Sequence, residues 1–248
     1  AFDNVNIYQV YTVPFVEDYE DFNNGRSNQN DWNNRNAADP DWTVDNAGTG
    51  SSGTGPDVDH TLGTSVGKYV YLETSSGSQG DRDTLSSPSI IVDSTQTALS
   101  FDYWYHMAGA TMGEMQVWVE SAGVWDSIAT YVGPQQTATT SPWLLGSHIL
   151  VGYGGQNVTL HFIGEKGSSF TGDMAVDDVS LTEASANNIG ITSIVRPNSG
   201  CGLSGADSVE VVITNFGAAS QTGFNVGYSL NGVAITPETV TGPLGVGM

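Results

Sequence analysis

The amino-acid sequence predicts an all-β fold, and three observations support this fold class. Apolar residues alternate with polar ones in several short segments, which is typical of strands that bury one face. No window of comparable length shows a helical stripe, and the 31 glycines among 248 residues argue against a helical bundle or coiled coil. Turn-rich stretches at residues 48–56 and 75–80 separate the apolar segments, as expected for a sandwich or barrel.

The alternating segments follow one another along the chain. In each of them every second residue is apolar, which predicts a strand with one face toward a core. The apolar positions are Tyr69 and Tyr71; Leu99, Phe101 and Tyr103; Met115, Val117 and Val119; and Val158, Leu160 and Phe162.

A composition change marks a predicted linker at residues 184–188, where small and polar residues replace the strand pattern. Beyond it, Val209, Val211 and Ile213 alternate, and Asn231-Gly232 separates two short apolar runs. Asn-Gly in this context predicts a hairpin, because a type I′ turn needs positive φ at both central residues. Residues 189–248 number about 60, too few for a complete immunoglobulin-like sandwich of roughly 100 residues.

A short internal repeat suggests how the chain begins. The run AFDNVNI at residues 1–7 aligns with AVDDVSL at residues 175–181. Residues 1–14 are therefore predicted to be the remnant of a preceding module. The whole chain is expected to be a fragment of a larger modular protein.

The charge balance excludes several classes of partner. Six Lys and Arg residues against 27 Asp and Glu residues give a formal net charge of -21. Such a chain repels phosphate backbones and anionic lipid surfaces, so neither a nucleic-acid partner nor membrane insertion is expected. The one cysteine, Cys201, allows no internal disulfide and no cysteine-rich metal site.

No motif for catalysis is recognised in the sequence, so no catalytic residue is predicted. The four histidines lie in neither a nucleophile motif nor an HExxH motif. Glu114 and Glu120 flank one strand without the tight acidic alternation of sandwich-fold glucanases. The GxGxxG pattern at residues 48–53 lacks the strand and helix that a nucleotide-binding turn requires, and is interpreted as a loop.

Acidic runs at residues 17–21, 57–59 and 173–178 offer oxygen ligands of the kind that Ca²⁺ prefers. The alternative is a solvated acidic surface. Strict alternation would place Asp177 on one face with Ala175, Val179 and Leu181, and a carboxylate on a core face needs a partner.

Aromatic residues permit a second interpretation. Trp125, Tyr131, Trp143 and Tyr153 are candidates for a stacking platform for sugar rings, with Trp125 and Trp143 as its predicted ligand-binding residues. Trp42, Trp104 and Trp118 are predicted to fill the core. The alternative, that all six tryptophans are structural, remains open.

Residues 15–183 resemble the MAM domain, an extracellular module named after meprin and receptor tyrosine phosphatase mu. The resemblance rests on DYED at 18–21, DWT at 41–43, SGTGPDVDHT at 52–61, GKYVYLETS at 67–75, LSSP at 85–88, LSFDYWYHM at 99–107 and GDMAVDDVSL at 172–181. It implies a jelly-roll β-sandwich that serves adhesion or recognition rather than catalysis. It also implies a cation held by Glu20, Asp59 and Asp177, with Asp178 as the alternative to Asp177.

Two further resemblances complete the prediction. Cysteine-free, acidic copies are similar to those of secreted bacterial multimodular proteins, whereas animal members carry paired cysteines. Residues 189–248 look like the front part of a bacterial immunoglobulin-like β-sandwich. We therefore expect a non-catalytic, Ca²⁺-stabilised, extracellular or cell-surface module that binds a polysaccharide. The alternative is a protein-binding adhesin segment or an ancillary domain of a secreted protease.

Overall fold

The computed structural model describes residues 9–34, 40–197 and 208–246, and every regular element in these ranges is a β-strand. The all-β prediction is confirmed. The strands are β1 (Tyr11–Thr12), β2 (Phe15–Glu17), β3 (Gly25–Arg26), β4 (Asn33–Asn34), β5 (Asp41–Asn46), β6 (Lys68–Glu73), β7 (Arg82–Ser86), β8 (Ile90–Ile91), β9 (Ala98–His106), β10 (Glu114–Ser121), β11 (Val124–Val132), β12 (Leu144–Val151), β13 (Asn157–Glu165), β14 (Met174–Glu183), β15 (Ile189–Arg196), β16 (Glu210–Asn215), β17 (Phe224–Val226), β18 (Ser229–Leu230), β19 (Val233–Ala234) and β20 (Glu238–Val240).

Strands β1 to β14 form a jelly-roll sandwich of two seven-stranded sheets. The first sheet has the order β1-β8-β13-β10-β11, with β7 paired to β13 and β4 paired to β7. The second sheet has the order β12-β9-β14-β6-β5-β3, with β2 paired to β14. All of these pairs are antiparallel except β1 with β8. Neighbours within a sheet are mostly distant in sequence, because the chain crosses repeatedly between the sheets.

One apolar core fills the space between the two sheets. It takes the alternate residues Leu99, Phe101 and Tyr103 from β9, and Val158 and Leu160 from β13. These strands were predicted from that alternation, and the prediction is confirmed. Burial of the two inner faces is the main stabilising contribution to such a sandwich.

The outer side of the second sheet is also covered, which the alternation does not predict. All four residues of β6 from Tyr69 to Leu72 are buried. Val70 and Leu72 belong to the main core, whereas Tyr69 and Tyr71 form a second cluster with Trp143 on the opposite face. A strand covered on both faces is apolar on both, so Tyr69 and Tyr71 do not mark the main core.

Strand β14 departs from the predicted alternation at Asp177. A β-bulge interrupts its pairing with β9 just after Asp177, where Asp178 adopts a left-handed φ of 45°. The extra residue reverses the alternation, so Leu181 belongs to the main core while Ala175 belongs to the second cluster. Asp177 therefore shares a face with Ala175 but not with Leu181, and that part of the prediction is wrong.

The two ends of the chain are described only in part. Residues 1–7 of the predicted repeat lie outside the described residues, while β1 joins the edge of the first sheet. Beyond residue 188, β15 to β20 form three separate two-stranded sheets. The Asn231-Gly232 hairpin is confirmed, since Leu230 pairs with Val233 and both turn residues have positive φ. An immunoglobulin-like arrangement of residues 189–248 stays a prediction.

Candidate functional site

Asp59 anchors the loop of residues 47–67 that joins β5 to β6, which we call the β5–β6 loop. Its side chain is 1% exposed, and its oxygens accept hydrogen bonds from Leu62 N (2.5 Å) and Thr64 N (2.9 Å). A Cβ at Gly67 would lie 2.2 Å from Asp59 Cγ, so only glycine leaves room for the carboxylate. The first role of Asp59 is to fix the shape of this loop.

Asp177 and Asp178 hold the same loop from β14. Asp177 Oδ2 accepts a hydrogen bond from His60 N (2.8 Å), and Asp178 Oδ1 accepts one from Thr61 Oγ1 (2.8 Å). Asp178 Oδ2 also lies 2.5 Å from His60 Nδ1. Burial, followed by the charge of Asp178, raises the pKa of Asp177 well above its usual range. The buried Asp177 thus has hydrogen-bond partners in the β5–β6 loop.

Glu20 holds the start of β6, directly after the loop. Its Oε1 accepts a hydrogen bond from Lys68 N (2.9 Å), and Lys68 Nζ donates to Glu20 O (2.9 Å). Burial raises the pKa of Glu20, and the nearby charge of Asp59 raises it further, while the hydrogen bond from Lys68 lowers it. The structure thus brings Glu20 close to Asp59, and Asp177 close to Asp178.

The four predicted ligands fit a hard cation in chemistry, since each supplies carboxylate oxygens. In their present arrangement, hydrogen bonds to the β5–β6 loop, Lys68 and Asp178 occupy at least one oxygen of each carboxylate. Across residues 9–34, 40–197 and 208–246, no three His, Cys, Asp or Glu side chains form a group that could hold a metal ion. Ca²⁺ binding therefore stays a proposal.

The two predicted ligand-binding tryptophans lie apart, Trp143 in the loop that precedes β12 and Trp125 on β11. Trp143 is only 8% exposed and donates its indole Nε1 hydrogen to Val58 O at 3.0 Å, within the second cluster. Trp125 is half-buried on β11 of the first sheet. Tyr131 packs against the main core, with its hydroxyl 2.9 Å from that of Tyr103. The structure does not bring the predicted aromatic platform together as one surface.

A different aromatic pair lies on the outer face of the first sheet. Trp125 stacks on His161, with ring centroids 3.9 Å apart and planes 9° apart, and Trp118 meets the edge of Trp125 at 6.4 Å. Trp118 is half-buried between Val117 and Val119, which point into the core. The prediction that Trp118 fills the core is wrong, because strict alternation along β10 places it on the opposite face.

Polar side chains frame this pair. His161 Nε2 lies 3.0 Å from Glu120 Oε2, and Trp118 Nε1 donates to Gln116 Oε1 at 3.0 Å. We call the surface formed by Gln116, Trp118, Glu120, Trp125 and His161 the tryptophan face. The sequence does carry a signal for it, since the same alternation that buries Met115, Val117 and Val119 places the half-buried Gln116, Trp118 and Glu120 on the opposite face.

Ser86, His161 and Glu120 form a hydrogen-bonded chain that superficially resembles a catalytic triad. The Ser86 hydroxyl lies 2.9 Å from His161 Nδ1. However, Ser86 is only 3% exposed and His161 is fully buried, so a substrate carbonyl cannot reach the hydroxyl. The chain fixes the ring of His161 beneath Trp125 and offers no accessible nucleophile.

Comparison with known proteins decides the family. The model of the MAM domain, meprin/A5/mu, matches residues 21–186. The chain belongs to the MAM domain family. Members of this family are extracellular or cell-surface recognition modules without catalytic activity, and the predicted resemblance is confirmed. The structure also shows no helix, among the residues it describes, with the length and apolarity needed to cross a membrane.

Curated relatives match over the MAM domain. MAM domain-containing glycosylphosphatidylinositol anchor protein 2 from Homo sapiens is 29% identical over 161 residues, covering 58% of this chain and 16% of the relative. Anchor protein 1 from Rattus norvegicus is 31% identical over 155 residues (57% and 15%). Neuropilin-1a from Danio rerio is 29% identical over 147 residues (57% and 15%). The chain thus spans about one sixth of the length of these relatives.

Solved structures resemble the chain more distantly. The K2 cleaved adhesin domain of Lys-gingipain has a TM-score of 0.47 at 13% identity, covering 68% of this chain and 98% of that domain. The carbohydrate-binding module TmCBM61, solved with β-1,4-galactotriose, has a TM-score of 0.42 at 15% identity, covering 64% and 91%.

Proposed function

We propose that this MAM domain binds a neutral polysaccharide through its tryptophan face. The observation that carries the proposal is the flat stack of Trp125 on a buried His161, with Trp118 beside it on an outward-facing sheet surface. A half-buried indole that is already fixed in orientation loses little conformational freedom when a ligand stacks on it. Residues that serve the core alone would face inward.

The chemistry of the face suits a sugar. The apolar face of a sugar ring packs on an indole, while its hydroxyls exchange hydrogen bonds with side chains such as Gln116 and Glu120. A net charge of -21 disfavours anionic polysaccharides, which leaves neutral ones as the preferred class. Binding of this kind requires no catalytic residue.

A glycan array that compares wild-type protein with Trp118→Ala and Trp125→Ala tests the proposal. Each variant should weaken binding by about tenfold or more, because loss of one stacking indole removes about 1.4 kcal/mol. Phe170→Ala is the matched control, since Phe170 is 51% exposed and lies outside the tryptophan face. Absence of polysaccharide binding by the wild type, or equal binding by both tryptophan variants, contradicts the proposal.

We also propose that the parent protein is a secreted or surface-anchored bacterial multimodular protein. The support comes from composition, because residues 1–183 contain no cysteine, whereas animal MAM domains carry paired cysteines. The strongly acidic charge suits a module exposed to solvent outside the cell.

Finally, we propose that Ca²⁺ stabilises the β5–β6 loop by binding among Glu20, Asp59, Asp177 and Asp178. Burial raises the pKa values of Glu20 and Asp177, and repulsion from neighbouring carboxylates raises them further; a bound cation would relieve that repulsion. Hard oxygen donors favour Ca²⁺ over Zn²⁺. The ion would supply structural stability and no chemistry.

A further inference from the structure

A cleft of about 510 Å³ lies between the β5–β6 loop and the loop that precedes β12, on the side of the second sheet. It is lined by residues 57–60, Gly63 and residues 139–143. The tryptophan face lies on the first sheet, so the proposed glycan site does not use this cleft. We call it the Asp57 cleft.

The walls of the Asp57 cleft are tied together. Asp57 N donates to Thr139 O at 3.2 Å, which joins the two loops, and Trp143 Nε1 donates to Val58 O at 3.0 Å. His60 stacks on Trp104 with ring centroids 3.8 Å apart and planes 16° apart. The cleft is thus formed before any ligand binds, with an aromatic wall of fixed orientation.

The cleft has a mainly apolar lining, with one exposed carboxylate at its rim. The Asp57 carboxylate is exposed at the rim, and no Lys or Arg is among the lining residues. The fully buried His106 lies behind Trp143, with the two ring centroids 5.6 Å apart, and does not line the cleft.

An exposed carboxylate at the rim and an indole in the wall together match a cation that carries several N–H donors.

We propose that the Asp57 cleft binds a basic side chain, arginine or lysine, from a protein partner. The guanidinium or ammonium group would pack against Trp143 and pair with Asp57. The net charge of -21 would attract a basic surface over long range and speed its association. The proposal is independent of glycan binding, since the two sites lie on different sheets.

The test is an NMR titration of the full ¹⁵N-labelled chain with Nα-acetyl-L-arginine amide. Amides of residues 57–63 and the Trp143 indole should shift, while Nα-acetyl-L-glutamine amide, which lacks the charge, should shift them at least fivefold less. Asp57→Asn should weaken binding of the arginine probe at least fivefold. Glu238→Gln, an equal charge change outside the cleft, should leave its affinity unchanged. Equal shifts with both probes, or an unchanged affinity in Asp57→Asn, would overturn the proposal.

Two further measurements keep the result interpretable. Trp143→Phe retains an aromatic wall, and its spectrum shows directly whether the fold survives; weaker arginine binding in a folded variant supports the assigned wall. A peptide with one central arginine flanked by neutral residues should bind more tightly than the amide probe. If guanidinium chloride alone binds as tightly as that peptide, the partner is a small cation rather than a protein.

Discussion

Glu17 lies beneath the first turn of the MAM domain, where burial outweighs its hydrogen bonds. Its oxygens accept from Tyr19 N (3.0 Å) and Trp32 Nε1 (3.1 Å), yet loss of solvent raises its pKa from 4.5 to about 7. The folded protein therefore holds a proton there that the unfolded chain releases at lower pH.

This raised pKa predicts a pH-dependent stability. The contribution of Glu17 to the free energy of unfolding is fully present below pH 4.5. It is lost as the pH rises to about 7, because in this range the unfolded chain ionises at Glu17 while the folded protein still holds the proton. Glu17→Gln should avoid this loss, so the variant should gain about 1–3 kcal/mol relative to wild type between pH 4.5 and 8. Urea unfolding at both pH values measures the difference.

Glu183→Gln, a change at an exposed position of β14, serves as the control and should show no such gain. If the free energy of unfolding of Glu17→Gln changes with pH as that of the wild type does, Glu17 ionises normally in the folded protein.

At the scale of elements, β15 and β16 contrast with β9 and β14. Strands β15 and β16 pair only with each other, and Ile191 and Ile194 of β15 are 55% and 67% exposed. Strand β9, in contrast, is paired on both sides and packs one face into the main core. Strands with few buried contacts open at lower free energy.

Hydrogen exchange should reveal this contrast. Paired amides of β15 and β16 should exchange at least about 100-fold faster than those of β9, which acts as the internal control in the same sample. Equal protection in dilute solution would show that residues 189–246 form a domain as stable as the sandwich.

The strands themselves could be predicted from sequence because alternation reports burial on one face. It identified the inward residues of β9, β10 and β13, and the Asn231-Gly232 turn followed from backbone sterics. Alternation fails where both faces are covered, as at Tyr69 and Tyr71, and where a bulge intervenes, as at Asp178.

The candidate sites depend on contacts between distant segments, which local patterns do not specify. The charge interaction between Glu20 and Asp59 depends on how two segments that are distant in sequence fold together. The stack of Trp125 on His161 depends on the register of β10 with β11 and β13. The outward position of Trp118 could have been predicted, since the alternation of β10 places its side chain on the face opposite the core.

For the molecule as a whole, the proposed Ca²⁺ site predicts ligand-dependent stability. At 100 times Kd, Ca²⁺ should stabilise the folded state by about 2.7 kcal/mol, which raises Tm by roughly 5–10 °C. A chelator should reverse the increase, and Asp178→Asn should reduce it. A melting curve that is unchanged by both Ca²⁺ and chelator would eliminate the site.

The most direct test of glycan binding at the tryptophan face uses the indole signals of the six tryptophans. An oligosaccharide of the polysaccharide that binds on the array is titrated into the ¹⁵N-labelled chain. The Nε1–H signals of Trp118 and Trp125 should shift together and saturate at one Kd, while those of the buried Trp42 and Trp143 stay in place. Shifts confined to other tryptophans, or none at all, would contradict a ligand site on this face.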